Sequence, residues 1–523
     1  MADCRGVVYI RGMSDNQRAF MRRTLPFSVS LMVFVGLLWL AVQGCLERTG
    51  GEFTYALDDA YIHLSIAKNV VQHGVWGVSP FVFAGASSSP LWILLLAGSS
   101  LLPVSFILVP LLLNAVAGVK LLWIADRILQ RFEVGAVVRL IALLGIVVFT
   151  PLVALCIGGM EHIVQCCCVL LLLDSCIRAS LTPTGTRIPL RSLVVCALCA
   201  ALSTSIRYES VFLVLPLALA ALMHKRYGLA AVVLGGMTVP VGAYSWYSLA
   251  HGGLLVPNSV LAKSAVQHAG LSSLIYAADN ALRTVVDESH LVSALVIVSL
   301  VFASSFVVLM RGTKKNGLLY LVVFSFVTLT ACVCQFTFAK TGWFFRYEAY
   351  LMMLMMIVIA LAIRLFDFDE LLRTIRCVSI LVPAVMILPL AAASIPFLQR
   401  ATKSYKRSPI ASMNIHEQQW QFGRFLRTFY NNESVVLNDI GAASFLANLH
   451  STDLVGLSDT GVLRAKRAGM LDATFIDSLT AARGSRICVT YEDWWYPARW
   501  IGDDGLFRHG QAVGIPQRWV KCG

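Results

Sequence analysis

Two adjacent carboxylates lie in the stretch of the chain whose residue types most directly suggest chemistry. Leu57–His63, with the sequence LDDAYIH, follows the first membrane-length apolar run. Acidic side chains are costly near a bilayer and usually mark function there. Either Asp58 or Asp59 could accept a proton from a bound hydroxyl group. Repulsion between the two carboxylates raises the pKa of one of them and makes it a better base.

The spacing of the pair limits what it can do together. Side chains at positions i and i+1 of a helix diverge by about 100°. Asp58 and Asp59 therefore cannot both face one substrate atom unless the helix begins between them. One would act as the base, and the other would cap the helix or bind a metal ion. The alternative is that Asp58 only caps its own helix.

The composition of the chain indicates the class of protein to which these residues belong. The 523-residue chain is 58% hydrophobic and 14% charged, against about 25% charged residues in ordinary globular domains. Its long apolar runs indicate a polytopic membrane protein. The net charge of +13 comes from Lys and Arg clusters between apolar runs. Such clusters are topology signals, so we exclude a nucleic-acid partner.

The apolar runs predict an α-helical membrane domain over residues 26–397. Residues 1–25 are polar and basic and are expected in the cytosol, and residues 46–89 form the first outer loop. Residues 90–102 are too short to cross alone, since thirteen residues span only about 20 Å. Twelve apolar segments then make about eleven crossings. With the basic clusters in the cytosol, four segments lie on the outer side: 207–210, 250–290, 338–348 and the tail.

Two further elements are predicted around the outer face. Residues 58–73 have helical apolar spacing and end at Gly74, which predicts an amphipathic helix on the membrane surface. Residues 398–523 mix strand and helix patterns, which predicts a soluble α/β domain outside the cytosol. Its strands are expected at 434–438 and 486–491, and its helices at 418–430 and 475–482. Gly441 permits a tight turn after the first strand.

Most of the fourteen cysteines lie inside apolar runs, which favours simple packing. Cys488 and Cys522 are the pair in the polar tail. A disulfide between them is compatible with an outer compartment, but sequence does not show how close they lie.

Several polar residues outside the first loop are candidates for substrate binding. Arg207, Lys263 and Arg346 are predicted on the outer side, where a cation could bind a donor phosphate. The alternative is that Arg207 pairs with Glu209, and Arg346 with Glu348, as interfacial ions. Arg346 ranks first among the three, because Trp343, Phe344 and Phe345 beside it could line a lipid groove.

Two other candidate pairs have equally simple alternatives. Glu161 and His162 begin a helix, where they could orient an acceptor, hold a metal ion or merely end the helix in solvent. Trp494 and Trp495 could stack on sugar rings or anchor the tail at the membrane interface.

The motifs together resemble those of the GT-C superfamily of membrane glycosyltransferases. The likeness is greatest to a bacterial subgroup related to mycobacterial arabinofuranosyltransferases, and it covers nearly the whole chain. Where related enzymes often have Asn-Thr, this chain has Asn258 followed by Ser259. The matching segments are Leu57–His63, Phe81–Trp92, Gly158–His162, Arg207–Glu209, Leu255–Ser259 with Lys263, Arg346–Glu348, Asn438–Ala442 and Asp453–Leu457.

The resemblance implies an inverting transfer of a sugar from a polyprenyl-phosphate donor. The transfer takes place on the outer face of the bacterial inner (plasma) membrane, and the acceptor is a glycan or a glycolipid. A first-loop aspartate, Asp58 or Asp59, is expected to be the base. Some members also hold a divalent cation, so the metal requirement stays open. The expected substrate-binding residues are Tyr61, His63, Glu161, His162, Arg207, Glu209, Asn258, Lys263, Arg346, Tyr347, Trp494 and Trp495.

The main alternative function is a transporter or flippase for a lipid-linked sugar, with the acids as coupling sites. The candidate ionisable residues lie at helix ends on one side, and no inverted repeat is visible, which disfavours a transporter. A non-catalytic anchor for the tail would not need so many apolar segments. The chain also lacks a Rossmann fingerprint and a P-loop, which agrees with a donor delivered through lipid.

Overall fold

A computed structural model describes residues 15–183, 186–263, 271–312, 317–365 and 381–490. Helices make up most of this part of the chain, and a small sheet lies near its end. The helices are α1 (Asp15–Arg48), α2 (Asp59–His73), α3 (Pro90–Ser99), α4 (Val109–Arg131), α5 (Ala136–Phe149), α6 (Leu152–Gly158), α7 (His162–Ser180), α8 (Leu190–Ile206), α9 (Val211–Met223), α10 (Tyr227–Ala250), α11 (Asn258–Lys263), α12 (Leu271–Asp287), α13 (Ser289–Met310), α14 (Leu318–Phe338), α15 (Ala349–Leu365), α16 (Leu381–Ile415), α17 (Gln421–Phe429), α18 (Gly441–Leu446), α19 (Thr460–Arg467) and α20 (Ala473–Ala482).

The membrane domain contains the apolar helices that the sequence predicts. Within the described ranges, seven helices are long and apolar enough to span a bilayer, and four shorter apolar helices of 10–17 residues accompany them. The chain is therefore an integral membrane protein. The count of about eleven crossings and the side on which each loop lies stay predictions. Part of the last predicted segment, residues 376–380, falls outside the described residues.

The segment after the first loop is divided as expected. Helix α3 has ten residues, about 15 Å at 1.5 Å per residue, which is half of a hydrocarbon core. A turn and a short 3₁₀ helix, Phe106–Leu108, then lead into α4, which is long enough to span.

Helix α2 forms where the apolar spacing predicts it, and Gly74 ends it with a left-handed φ of 68°. Its surroundings differ from the prediction. The helix does not lie on an open membrane surface, since most of its residues are buried between α3 and the tail helix α18. A helix with apolar residues on one face can satisfy that face against protein as well as against lipid, and sequence does not separate the two.

The tail contains a three-stranded parallel sheet, which confirms the predicted α/β domain. Its strands are β1 (Ser434–Leu437), β2 (His450–Asp453) and β3 (Ile487–Val489), in the order β2-β1-β3. Strand β2, with the polar sequence His-Ser-Thr-Asp, was not predicted, because it has no apolar alternation. Helix α16 runs through the predicted boundary at 397/398, so a continuous helix joins the membrane domain to the tail.

Candidate active site

Asp58 and Asp59 lie at the start of α2, and their carboxylates point to different partners. Asp58 precedes the helix and makes no side-chain bond to its own helix, so the simple capping alternative is wrong. Its Oδ2 instead accepts the Gly441 N–H at 2.6 Å, and its Oδ1 accepts the Ala442 N–H at 2.8 Å. Asp59 Oδ2 accepts a hydrogen bond from Arg346 Nη2. The divergence expected for neighbouring helical positions is therefore present.

Gly441 is necessary for the contact with Asp58. A Cβ at this position would lie 2.1 Å from the main-chain oxygen of Asp58 and 2.6 Å from its Oδ2. Its φ is not in the left-handed region. The glycine is required by close approach between two segments rather than by the tight turn that the sequence suggested.

The electrostatics of Asp58 favour its protonated form. Burial raises the pKa of this carboxyl to about 8, and the Asp439 carboxylate and, more weakly, Asp59 raise it too. The two backbone N–H groups oppose this rise, because they stabilise the charged form. Asp439 follows β1 and accepts a hydrogen bond from Gln419 Nε2 at 2.9 Å. The sequence marked Asp439 only as part of a motif.

Arg346 is a buried cation with hydrogen-bonding capacity to spare. Its side chain is 1% exposed, whereas that of its partner Asp59 is 20% exposed. Nη2 also lies 3.2 Å from the Tyr347 hydroxyl. Nε and Nη1 have no hydrogen-bond partner within the described ranges. Buried arginine N–H groups normally have partners, so Nε and Nη1 are candidates to bind an additional acceptor.

The turn that presents Arg346 is held from α16. Arg400 donates to Glu348 Oε1 at 2.6 Å and to the Phe345 carbonyl at 2.7 Å. Glu348 therefore pairs with Arg400 and Arg346 pairs with Asp59, instead of the Arg346–Glu348 pair considered as the alternative. Burial alone would raise the pKa of Glu348, but Arg400 and His290 lower it to about 2. Sequence reasoning did not single out Arg400, although it is a charged residue directly after an apolar run.

The same turn has an unusual backbone. Phe344 and Phe345 have φ values of 55° and 63°, in the left-handed region that bulky residues seldom occupy. Such conformations persist where surrounding contacts impose them. Trp343, just before them, is 59% exposed, which fits the predicted lipid groove.

A second polar cluster is centred on the buried side chain of Glu161. Glu161 Oε1 accepts from Ser89 Oγ at 2.8 Å and from Arg207 Nη1 at 2.6 Å, and Glu161 Oε2 is 3.6 Å from His63 Nδ1. Burial opposes ionisation of Glu161, but the neighbouring His162, Arg207 and His63 hold its pKa well below the usual range. The solvated helix end considered for Glu161 and His162 is therefore wrong.

Arg207 joins this cluster to its surroundings. It pairs with Glu209, as the alternative proposed, and its Nη1 also lies 3.0 Å from His162 Nε2. The His63 Nε2 atom is 3.3 Å from Ser87 Oγ.

The ring of Tyr347 connects the two clusters. The Arg346 guanidinium lies 5.0 Å from the ring centroid, and that of Arg207 lies 5.5 Å from it. The His162 and Tyr347 rings are 6.1 Å apart. Guanidinium groups at these distances interact favourably with an aromatic face. Eight of the predicted residues are therefore linked by direct contacts: Asp59, His63, Glu161, His162, Arg207, Glu209, Arg346 and Tyr347.

Tyr61 and Asn258 hold the tail against the membrane domain. Tyr61 is fully buried, its hydroxyl accepts the Tyr55 N–H at 2.9 Å, and its ring packs against Trp420 at 5.5 Å. Asn258 Nδ2 donates to Thr460 Oγ1 at 3.2 Å. Both residues support the site through packing between its two parts.

Some predicted residues fall outside the described part of the structure. Lys263 is the last residue of α11, but its side chain is not among those that the structure describes. Trp494, Trp495 and Cys522 lie beyond residue 490, so neither the sugar-stacking role nor a bridge to Cys488 is tested. In the described ranges, no group of three or more His, Cys, Asp or Glu side chains is arranged to hold a metal ion.

Comparison with known proteins supports the fold. The structure is similar to the crystal structure of ArnT from Cupriavidus metallidurans bound to undecaprenyl phosphate, with a TM-score of 0.54 and 12% identity. The match covers 89% of this chain and 90% of that one and confirms the predicted fold. Residues 413–521 match a domain of unknown function, DUF8728. No curated protein matches the chain.

Proposed function

We propose that this GT-C-fold membrane protein is a glycosyltransferase that uses a polyprenyl-phosphate-linked sugar as donor. The acceptor is a glycan or lipid-linked glycan, and an aspartate of the first loop is the base. One observation carries the proposal: buried Arg346 holds Asp59 with one nitrogen and has two N–H-bearing nitrogens, Nε and Nη1, with no described partner. Arginine binds phosphate through several N–H groups at once.

The geometry suits a single displacement. The acceptor oxygen attacks the anomeric carbon of the sugar while the bond from that carbon to the phosphate oxygen breaks. The acceptor proton passes to the aspartate, and the negative charge moves onto the departing polyprenyl phosphate beside Arg346. Because Arg346 touches Asp59 directly, a donor phosphate bound to it would lie next to the base. Such positioning is a major source of rate enhancement, and the attack from the opposite side gives inversion.

We expect the lipid part of the donor to contact the aromatic turn beside this arginine. Trp343 is largely exposed, and Phe344 and Phe345 are half-buried in the same turn. The ArnT structure with undecaprenyl phosphate supports a lipid donor of this class, since its fold is shared. No step above depends on a divalent cation. The likeness to the mycobacterial subgroup also remains a prediction.

The proposed location is the inner membrane, with the acid pair and the tail outside the cytosol. The basic clusters between apolar runs support this orientation. Two cysteine variants test this orientation. Met470→Cys lies in an exposed part of the tail, and Arg187→Cys lies in an exposed basic loop that is predicted to face the cytosol. In intact cells, a membrane-impermeant thiol reagent should label Met470→Cys and not Arg187→Cys. The reverse pattern would place the acid pair on the cytosolic side.

Transfer itself is tested with the full-length protein in lipid nanodiscs and a panel of polyprenyl-phosphate sugars. The wild type should transfer sugar to an envelope glycan or glycolipid. Asp59→Asn should lower the rate about 10²–10⁴-fold, as loss of a general base does. Asp279→Asn, which removes a surface acid paired with Arg283, is the matched control. Movement of a lipid-linked sugar across the bilayer without transfer would favour the transporter instead.

A further inference from the structure

The tail helix α18 is held at both ends, by Asp58 just before α2 and by Lys68 within α2. Asp58 accepts the N–H groups of Gly441 and Ala442 at its first residues, and Lys68 Nζ donates to the Phe445 carbonyl at 3.0 Å near its last. Two adjacent helices from distant parts of the chain are thus joined by hydrogen bonds at both ends.

Apolar contacts cover the rest of this junction. The Tyr61 ring lies 5.9 Å from that of Phe445, and Phe445 stacks on Trp420 at 6.4 Å. Thr54, just before the acid pair, exchanges hydrogen bonds with Ser412, whose Oγ donates to the Thr54 carbonyl at 2.6 Å. The tail is therefore packed against the aspartate loop rather than merely tethered to the membrane domain.

The two aspartates are both partly exposed, but they have different partners. Both Asp58 oxygens are occupied by backbone N–H groups of the tail. Asp59 contacts Arg346, the proposed phosphate ligand, and keeps a fifth of its side-chain surface exposed. We infer that Asp58 is a positioning residue that docks the tail domain onto the acid pair, and that Asp59 is the catalytic residue that takes the acceptor proton. The catalytic half of this inference rests on the proposed function.

Docking has a consequence for the acceptor. It brings the end of β1, with Asn438 and Asp439, next to the aspartate loop. Asn438 is buried, and its Nδ2 has no hydrogen-bond partner in the part of the chain that the structure describes. A buried amide of this kind is suited to bind a sugar hydroxyl. The tail would then contribute directly to the acceptor site, and loss of docking would impair transfer while both aspartates remain intact.

Gly441→Ala separates docking from the chemistry of the carboxylates, because its Cβ would overlap the Asp58 backbone. Gly461→Ala is the matched control, since that exposed glycine of the same domain meets only Asp459 Oδ1 at 3.2 Å. Hydrogen exchange over residues 439–446 and over α2 should accelerate about tenfold or more in Gly441→Ala and in Asp58→Asn. It should stay as in wild type in Gly461→Ala. Unchanged protection in Asp58→Asn would overturn the docking role.

Lys68→Met provides a second variant if Gly441→Ala fails to fold. It removes the contact to the other end of α18 and leaves the acid pair untouched. Exchange should accelerate over the same two segments, and Arg464→Met, a change of an exposed basic residue elsewhere in the tail, should have no effect there. Equal protection in Lys68→Met and wild type would contradict a role of Lys68 in holding α18.

A double-mutant cycle on turnover assigns the chemistry. Asp58→Asn should add no further loss in the Gly441→Ala background, because both act through docking. Asp59→Asn should lower turnover about 10²-fold or more in either background. Additive losses for Asp58→Asn and Gly441→Ala, or wild-type turnover of Asp59→Asn, would overturn the division of roles. If the wild type transfers no sugar, the proposed function fails together with the role of Asp59. Hydrogen exchange still decides whether Asp58 docks the tail.

Discussion

Asp59 and Arg346 form an ion pair across 287 residues of sequence, in which the arginine is fully buried and the aspartate is partly exposed. Removing an arginine from water is costly, and one carboxylate contact does not replace all of its hydration. The remaining Nε and Nη1 groups favour a second anion at this position. The pair thus joins the proposed base to the proposed phosphate site through one side chain.

Arg346→Ala should therefore weaken use of the donor more than use of the acceptor. Loss of hydrogen bonds to a charged group costs about 1.5–3 kcal/mol, so kcat/KM for the donor should fall about 10–100-fold. Arg346→Lys should recover only part of this loss, because an ammonium group lacks the planar array of N–H groups. Arg283→Ala, at an exposed surface arginine, is the control. Equal losses for donor and acceptor in steady-state kinetics would contradict the phosphate assignment.

Gly159→Ala should destabilise the protein more than Gly50→Ala. Both glycines have left-handed backbones, with φ of 66° and 65°, so the backbone penalty is matched. A Cβ at Gly159 would lie 2.5 Å from the Tyr55 ring, whereas one at Gly50 would meet nothing within 4 Å. Overpacking costs about 1–3 kcal/mol. Thermal unfolding in detergent measures the difference, and equal melting temperatures would show that Tyr55 moves freely.

Arg400→Met should destabilise the turn that carries Arg346. Glu348 would be left buried without its main partner, and breaking a buried ion pair costs about 3–5 kcal/mol. The double variant Arg400→Met with Glu348→Gln should recover part of that loss, because no buried charge then remains. Thermal unfolding and donor KM provide the measurements. A double variant less stable than Arg400→Met alone would contradict an ion-pair origin of the effect.

Docking of the tail should weaken as pH rises. Burial and the Asp439 carboxylate raise the pKa of Asp58 from an ordinary value near 3.8 to about 8. The docked state therefore binds more protons than the undocked state between about pH 4 and pH 8. Stability from this group is complete below about pH 4 and is lost as pH rises to about 8. Hydrogen exchange over residues 439–446, corrected for the intrinsic pH dependence of exchange, measures this loss.

Asp439→Asn isolates the contribution of Asp58 to that pH dependence. It removes a repulsive charge, so the pKa of Asp58 should fall and protection should decline less between pH 5 and pH 8. Asp459→Asn, at an acid that caps another tail helix, is the control for loss of a negative charge in this domain. Identical pH profiles for Asp439→Asn and wild type would show that Asp439 does not act on Asp58.

Local patterns in the sequence account for much of the fold. Apolar spacing and Gly74 predict α2, the short apolar run after the first loop predicts α3, and the run Ser-Val-Val-Leu predicts β1. These elements depend on interactions within a few residues. Strand β2 has no such pattern, because its place beside β1 comes from parallel pairing with a segment 16 residues earlier.

The contacts of the site were harder to predict than its residues. Asp58, Asp59 and Arg346 were identified from residue type and motif, but the Asp58–Gly441 contact joins positions 383 residues apart. Arg400 shows the same limit, since nothing near it in sequence indicates that it pairs with Glu348. Sequence patterns specify which residues are polar in an apolar setting. They do not specify which distant backbone groups form hydrogen bonds with these polar residues.

Helix α16 sets the spacing between two parts of the site. Its Arg400 holds the turn that presents Arg346, and its Ser412 holds Thr54, just before the acid pair. The two attachment points are twelve helical positions apart, a rise of about 18 Å. One residue inserted between them would turn Ser412 by about 100° around the helix and shift it by about 1.5 Å. The number of residues between Arg400 and Ser412 thus helps to set the distance between the proposed base and the proposed phosphate ligand. This part of α16 therefore has a length constraint that is not apparent from its own side chains.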